Sequence, residues 1–87
     1  MKVGILVKID RDESGNFKAP EVAVYPTLAE AQDAMIADFN KTKTERFSKE
    51  GSVFDDMCDS DEAYIAGTDD SDVSWWAFEK EVKCQTV

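Results

Sequence analysis

The first residues of the chain alternate with a period of two. One set of alternate positions is entirely β-branched: Val3, Ile5, Val7 and Ile9. Such alternation is typical of a strand, which we place at 2–10. Turn-forming residues follow at 12–16, and the short run 21–25 predicts a second strand. The two strands are expected to form a hairpin with Pro20 near its edge.

A helix is predicted from Leu28 onward. Thr27 and Glu30 have the spacing of a capping box, in which both side chains satisfy backbone N–H groups of the first turn. The apolar residues then fall on one face at helical spacing: Leu28, Ala31, Met35, Ile36 and Phe39. Gly51 supplies the stop signal.

The rest of the chain predicts a second hairpin. In 52–62 the spacing of the apolar residues favours one further helical turn against the core. A short strand at 63–66, turn formers at 67–72 and a longer strand at 73–82 follow. The order ββαββ predicts one α+β domain over 1–87, with a four-stranded, mainly antiparallel sheet and one helix packed on one face.

Composition narrows the class of protein. At 87 residues there is room for one core, and the longest apolar runs are far shorter than the roughly 20 residues that span a bilayer. We expect a cytoplasmic protein that contacts no membrane. The chain has two cysteines and no histidine, which excludes CxxC pairs, Cys/His zinc sites and His-based triads. Cys58 and Cys84 are expected to be small buried hydrophobes.

The charge is distributed unequally along the chain. Residues 1–49 carry eight basic and eight acidic residues, whereas 50–87 carry two basic and eleven acidic residues and hence the whole net charge of −9. Direct binding of nucleic acid is disfavoured, because phosphate contacts need a basic stripe. The acidic half is either a solvated surface or a surface that binds a basic partner.

Trp75 and Trp76 are consecutive in a predicted strand and therefore point to opposite faces of the sheet. If Trp76 and Phe78 enter the core, Trp75 lies on the face that no helix covers; the other phase of the strand exchanges the two roles. An exposed tryptophan is a favoured interface anchor. The alternative is that a second copy of the chain covers that face, which would make the protein a homodimer.

The first functional hypothesis is a non-catalytic module that binds a basic protein surface. Its most specific version is an acidic nucleic-acid mimic that inhibits a nucleic-acid-binding protein. The chain is similar in size and charge to small acidic inhibitors of phages and mobile elements, including anti-CRISPR proteins, a resemblance of gross properties alone. The predicted partner-binding residues are Asp55, Asp56, Asp59, Asp61, Glu62, Asp69, Asp70, Asp72 and Trp75.

A second hypothesis is a weak calcium site, the one cofactor that the sequence suggests. The segment 10–21 resembles an EF-hand loop, with matches at loop positions 1, 3, 5, 6, 8 and 12: Asp10, Asp12, Ser14, Gly15, Phe17 and Glu21. The resemblance implies ligands at Asp10, Asp12, Ser14 and Glu21. The flanks are strand-like rather than helical, and an ordinary hairpin turn selects the same residue types.

A third hypothesis is a small enzyme, or enzyme subunit, that uses carboxylates alone. The acidic residues of 55–62 would supply paired carboxylates for acid and base catalysis. No motif places a nucleophile, an oxyanion donor or a phosphate-binding glycine loop beside them. The sequence therefore predicts no catalytic residue.

Overall fold

The computed structural model describes residues 1–82, which form five strands and one helix in a single layered unit. The elements are β1 (Lys2–Arg11), β2 (Glu21–Tyr25), α1 (Leu28–Arg46), β3 (Val53–Cys58), β4 (Glu62–Gly67) and β5 (Asp72–Glu81). All neighbouring strands are antiparallel, in the order β2-β1-β5-β4-β3. The α+β class with one helix is confirmed, whereas the expected four strands are five. Within residues 1–82 no helix is long and apolar enough to cross a membrane.

The fifth strand is β3, in the segment for which we predicted a helical turn. β3 is an edge strand that pairs only with β4. A bulge between Val53 and Asp55 interrupts its register, and Phe54 within the bulge is 79% exposed. A bulge breaks the two-residue alternation of a strand. The apolar residues of 52–62 therefore had a spacing that resembles that of a helix, and the prediction of a helical turn was wrong.

Helix α1 begins where the capping box predicts and ends earlier than expected. The Thr27 hydroxyl accepts a hydrogen bond from the backbone N–H of Glu30 at 3.2 Å. Phe47 follows the last turn of the helix. Its ring is buried in the core, and its carbonyl accepts a hydrogen bond from the Ser52 hydroxyl at 3.0 Å. The helix therefore ends at Arg46 with Phe47 as its C-cap, and Gly51 (φ +79°) lies in the turn that follows.

The core lies between α1 and one face of the sheet, which we call the helix face. It contains Leu6, Ala31, Met35, Phe39, Phe47, Ala63, Ile65, Val73, Trp75 and Ala77. Of the predicted helix positions, Leu28 is partly buried at the margin of this core and Ile36 is exposed. Gly4 lies where the start of α1 crosses β1, and a Cβ atom there would come within 2.2 Å of the Thr27 carbonyl oxygen. The helix can therefore approach the sheet closely at this point.

Candidate functional site

The other face of the sheet, which we call the open face, has no helix or second sheet packed on it within residues 1–82. Cross-strand register places apolar side chains side by side across β2, β1 and β5: Val22 and Val24, then Ile5 and Val7, then Trp76 and Phe78. On β4, Tyr64 lies on the same face. Several of these side chains are well exposed, which marks the open face as a candidate binding surface.

The two tryptophans have opposite environments. Trp75 is 0% exposed, packs edge-on against Phe39 at 5.7 Å between ring centroids, and donates its indole N–H to Asp38 at 2.8 Å. Trp76 is 39% exposed on the open face. Trp75 is therefore unavailable to a partner, and the prediction that it binds one is wrong. The alternative phase of the strand is the observed one, with Trp76 in the exposed position.

The predicted acidic residues lie at the two ends of the β3–β4 and β4–β5 hairpins rather than in one cluster. One end holds Asp59, Asp61 and Glu62, and the other holds Asp69, Asp70 and Asp72. Because β4 is six residues long, the two groups lie roughly 20 Å apart. On β3, alternation directs Asp55 and Asp56 to opposite faces of the sheet, so these two carboxylates do not form a catalytic pair.

Several of these carboxylates are already engaged inside the chain. Asp72 pairs with Arg11 at 2.6 Å, and Asp56 pairs with Lys43 across the helix face. Asp69 accepts from the Ser71 hydroxyl at 2.6 Å and from its backbone N–H at 3.0 Å, and these bonds hold the pKa of Asp69 below its usual value. These three residues are structural, and a partner would have to displace existing contacts to reach them.

At the other end, the carboxylates of Asp59, Asp61 and Glu62 make no ion pair within residues 1–82. The backbone N–H of Asp59 donates to the Glu62 carbonyl at 2.8 Å, so two of these carboxylates flank the same turn. Like charges held at a turn repel one another. This end of the molecule therefore has negative charge that no side chain of the described part of the chain neutralises.

The register brings this charge beside the exposed aromatic residues. Glu62 lies directly opposite Trp76, and the Asp61 carbonyl accepts from the Ala77 N–H at 2.9 Å. Tyr64 donates its hydroxyl to Asp55 at 2.7 Å, and this bond raises the pKa of Tyr64. We call the group of Asp55, Asp59, Asp61, Glu62, Tyr64 and Trp76 the acidic aromatic patch. Its aromatic members were not among the predicted site residues, because they adjoin the acids only through strand pairing.

The four predicted calcium ligands are not brought together. Both carboxylate oxygens of Asp10 lie 2.8 Å from Nη1 of Arg46. Asp12 accepts from the backbone N–H groups of Ser14 at 3.0 Å and Asn16 at 2.9 Å, as in a hairpin turn. Glu21 lies in β2 opposite Lys8. Among residues 1–82 there is no group of three or more His, Cys, Asp or Glu side chains placed to hold a metal ion.

The described cysteine is exposed, contrary to expectation. Cys58 ends β3 at the edge of the sheet, and partial burial together with the charge of Asp59 raises the pKa of its thiol. A raised pKa leaves little thiolate at neutral pH, so the position offers no activated nucleophile. Cys84 lies outside the described residues.

Comparison with known proteins identifies no protein that is similar to this chain. No protein-family model, no curated protein and no solved structure matches the chain.

Proposed function

We propose that the chain is a non-catalytic protein-binding module that docks on a basic protein surface through the acidic aromatic patch. One observation carries the proposal: Trp76, 39% exposed on the open face, stands beside carboxylates that have no ion-pair partner within residues 1–82. Burying a tryptophan at an interface supplies affinity. Unneutralised carboxylates around it speed the encounter with basic partners and select against acidic ones.

The patch has the chemistry to bind arginine. Tyr64 holds one oxygen of Asp55 in a fixed position by donating its hydroxyl to it. A guanidinium group stacks on aromatic rings and pairs with carboxylates. The exposed ring of Trp76 and the carboxylate opposite it, Glu62, offer both contacts side by side. We therefore expect an arginine of the partner to bind here.

The narrower version of the proposal is that the partner is a nucleic-acid-binding protein, inhibited by a protein that occupies its basic channel. The supporting feature is that residues 50–87 carry the whole net charge of −9. In that case DNA or RNA must compete with this chain for the same surface. A partner with a basic surface unrelated to nucleic acid would show no such competition.

The experiment begins with capture of proteins from host lysate on the immobilised chain, with elution by increasing salt. Each retained protein is then purified and titrated with wild-type chain and with three variants. Trp76→Ala is expected to weaken binding at least tenfold, and Asp59→Lys with Asp61→Lys should abolish its salt-sensitive part. Glu45→Lys with Glu50→Lys makes the same change of charge at two exposed residues near the far end of β4; it is the matched control and should have little effect.

Two results would count against the proposal. Equal losses in the Glu45 and Glu50 variant and in the Asp59 and Asp61 variant would mean that overall charge, rather than the patch, governs binding. Full affinity in Trp76→Ala would remove the open face from the interface. Titration in the presence of DNA or RNA then tests the narrower version, since only an occupied nucleic-acid channel produces competition.

A further inference from the structure

The two edges of the sheet differ in their resistance to pairing with another chain. β3 has the features that block edge pairing: a bulge after Val53 and two consecutive carboxylates, Asp55 and Asp56. β2 has a regular register with no bulge and the sequence EVAVY, in which only Glu21 is charged. Pro20 and Pro26 flank β2 and limit any further pairing to the residues between them. Within 21–25 the outer edge has neither a bulge nor a proline, and no other strand of residues 1–82 pairs with it, so a short strand can be added there.

The hydrogen-bond pattern identifies which groups of β2 point outward. The Lys18 N–H donates to the Asp10 carbonyl at 2.8 Å, so the even-numbered residues of β1 direct their backbone groups toward β2. Their partners in β2, at alternate positions, are Glu21, Ala23 and Tyr25. Since direction alternates along a strand, Val22 and Val24 turn their N–H and C=O groups to the free edge. Their side chains are 63% exposed on the open face.

Charge favours a second copy of this chain as the occupant. β2 lies in the half of the chain, residues 1–49, whose eight basic and eight acidic residues cancel. The acidic β3–β4 side is four strand spacings away, roughly 19 Å, which exceeds the Debye length of about 8 Å at physiological ionic strength. Two copies that meet at β2 therefore bring neutral regions together and keep their acidic sides on the outside. A basic partner would find only Glu21 at this edge.

We propose that two copies of the chain pair antiparallel through β2, about a two-fold axis at Ala23, to form one continuous ten-stranded sheet. In this register Val22 of each copy lies opposite Val24 of the other, and each such pair exchanges both of its N–H···O=C bonds. The valine side chains of the two copies become cross-strand neighbours on a common open face, where they bury each other. The acidic aromatic patches lie at the two outer ends, free to bind their partner.

The test is the mass of the full chain in solution over a concentration series, by light scattering or sedimentation equilibrium. The wild-type chain should approach twice the mass of one chain as concentration rises. At about 0.01 M salt the Debye length is about 30 Å, so the acidic sides of two copies repel one another. Raising the salt to physiological strength should therefore strengthen this association, whereas it should weaken docking through the patch. A wild-type chain that stays monomeric at every concentration overturns the proposal.

Val24→Pro removes one outward N–H while leaving the β1–β2 hydrogen bonds intact, and Val24→Thr is the matched control that keeps the N–H. We expect at least tenfold weaker association in the proline variant alone, with unchanged circular dichroism. Equal dimerisation of both variants would overturn edge pairing; if Phe78→Ser then abolished it, the copies would meet through the open face instead.

A charge-swap pair keeps the test valid if the proline variant fails to fold. Val22→Lys with Val24→Lys, and Val22→Glu with Val24→Glu, place like charges opposite one another across the two-fold axis. Each double variant alone should be monomeric, and an equal mixture of the two should associate. A mixture that remains monomeric contradicts the proposed register.

Discussion

The helix face and the open face of the sheet give the two adjacent tryptophans, and the carboxylates nearest to them, different surroundings. On the helix face Trp75 is fully buried, and the carboxylates are neutralised: Asp38 by Lys8 at 2.9 Å, Asp10 by Arg46 at 2.8 Å, and Asp56 by Lys43. At the open face Trp76 remains exposed, and Glu62 beside it has no ion-pair partner within residues 1–82. The helix face supplies stability, whereas the open face keeps an exposed tryptophan beside a carboxylate that is unpaired within the described residues, the two groups that our proposal assigns to a binding partner.

The sharpest test of this difference compares the two tryptophans. Trp75→Ala removes a fully buried ring and a hydrogen bond to Asp38, and should lower the free energy of unfolding by about 3–5 kcal/mol. Trp76→Ala removes a partly exposed ring, and should cost less, about 1–2 kcal/mol. Urea unfolding followed by circular dichroism measures both. Similar losses in the two variants would mean that the open face is part of the core.

A smaller effect is expected where α1 approaches the sheet. The Cβ of a Gly4→Ala variant would clash with the carbonyl oxygen of Thr27, a backbone atom that cannot move aside without shifting the helix. We expect a loss of about 1–3 kcal/mol. Ser74→Ala, on the open face of β5, meets no such neighbour and should change stability by less than about 0.5 kcal/mol. Equal stability of the two variants would contradict the close helix packing.

The elements with a regular pattern could be predicted from the sequence, and the irregular one could not. Alternation identified β1, and the capping box located the start of α1 at Leu28. β3 was missed because its bulge spoils the period of two. The phase of β5 was ambiguous for a different reason: residues 75–78 are all apolar, so either set of alternate positions fits a core. Which of the two sets is buried depends on tertiary contacts, among them the hydrogen bond between Trp75 and Asp38.

The sequence predicted the charge of the candidate site, but not which residues of the site lie next to one another. The excess of acids after residue 49 is visible in the sequence. Its division into two groups follows from β4 running between them, and the neighbourhood of Glu62 and Trp76 follows from strand order. Both features depend on the bounds of β4 and on the register of the β4–β5 hairpin. The sequence predicted that hairpin, but it placed the first strand at 63–66, after Glu62, and because residues 75–78 are all apolar it did not fix the register.

The third prediction concerns the ion pair of the helix face. Burial favours the neutral form of Asp38, but hydrogen bonds from Lys8 and Trp75 outweigh it and lower the pKa of Asp38. A lowered folded-state pKa contributes stability that is present above the unfolded value of about 4 and is lost as pH falls through the folded value. Asp38→Asn should therefore cost roughly 1 kcal/mol at neutral pH. The difference from wild type should shrink in urea titrations at progressively lower pH; a constant difference would contradict it.

The fourth prediction concerns the smallest change in the free energy of unfolding, and the expected change is a gain in stability rather than a loss. Glu62→Gln removes a charge that repels Asp59 across a turn and has no counter-ion within residues 1–82. It should leave stability unchanged or raise it by up to about 0.5 kcal/mol at low salt, with the gain disappearing as salt increases. Urea unfolding at two salt concentrations measures it, with Glu13→Gln, an exposed carboxylate in the turn between β1 and β2, as the control. A loss comparable to that of Asp38→Asn would show that Glu62 has a structural role. A gain would mean that the chain keeps a carboxylate at a cost in stability, as expected of a residue retained for binding.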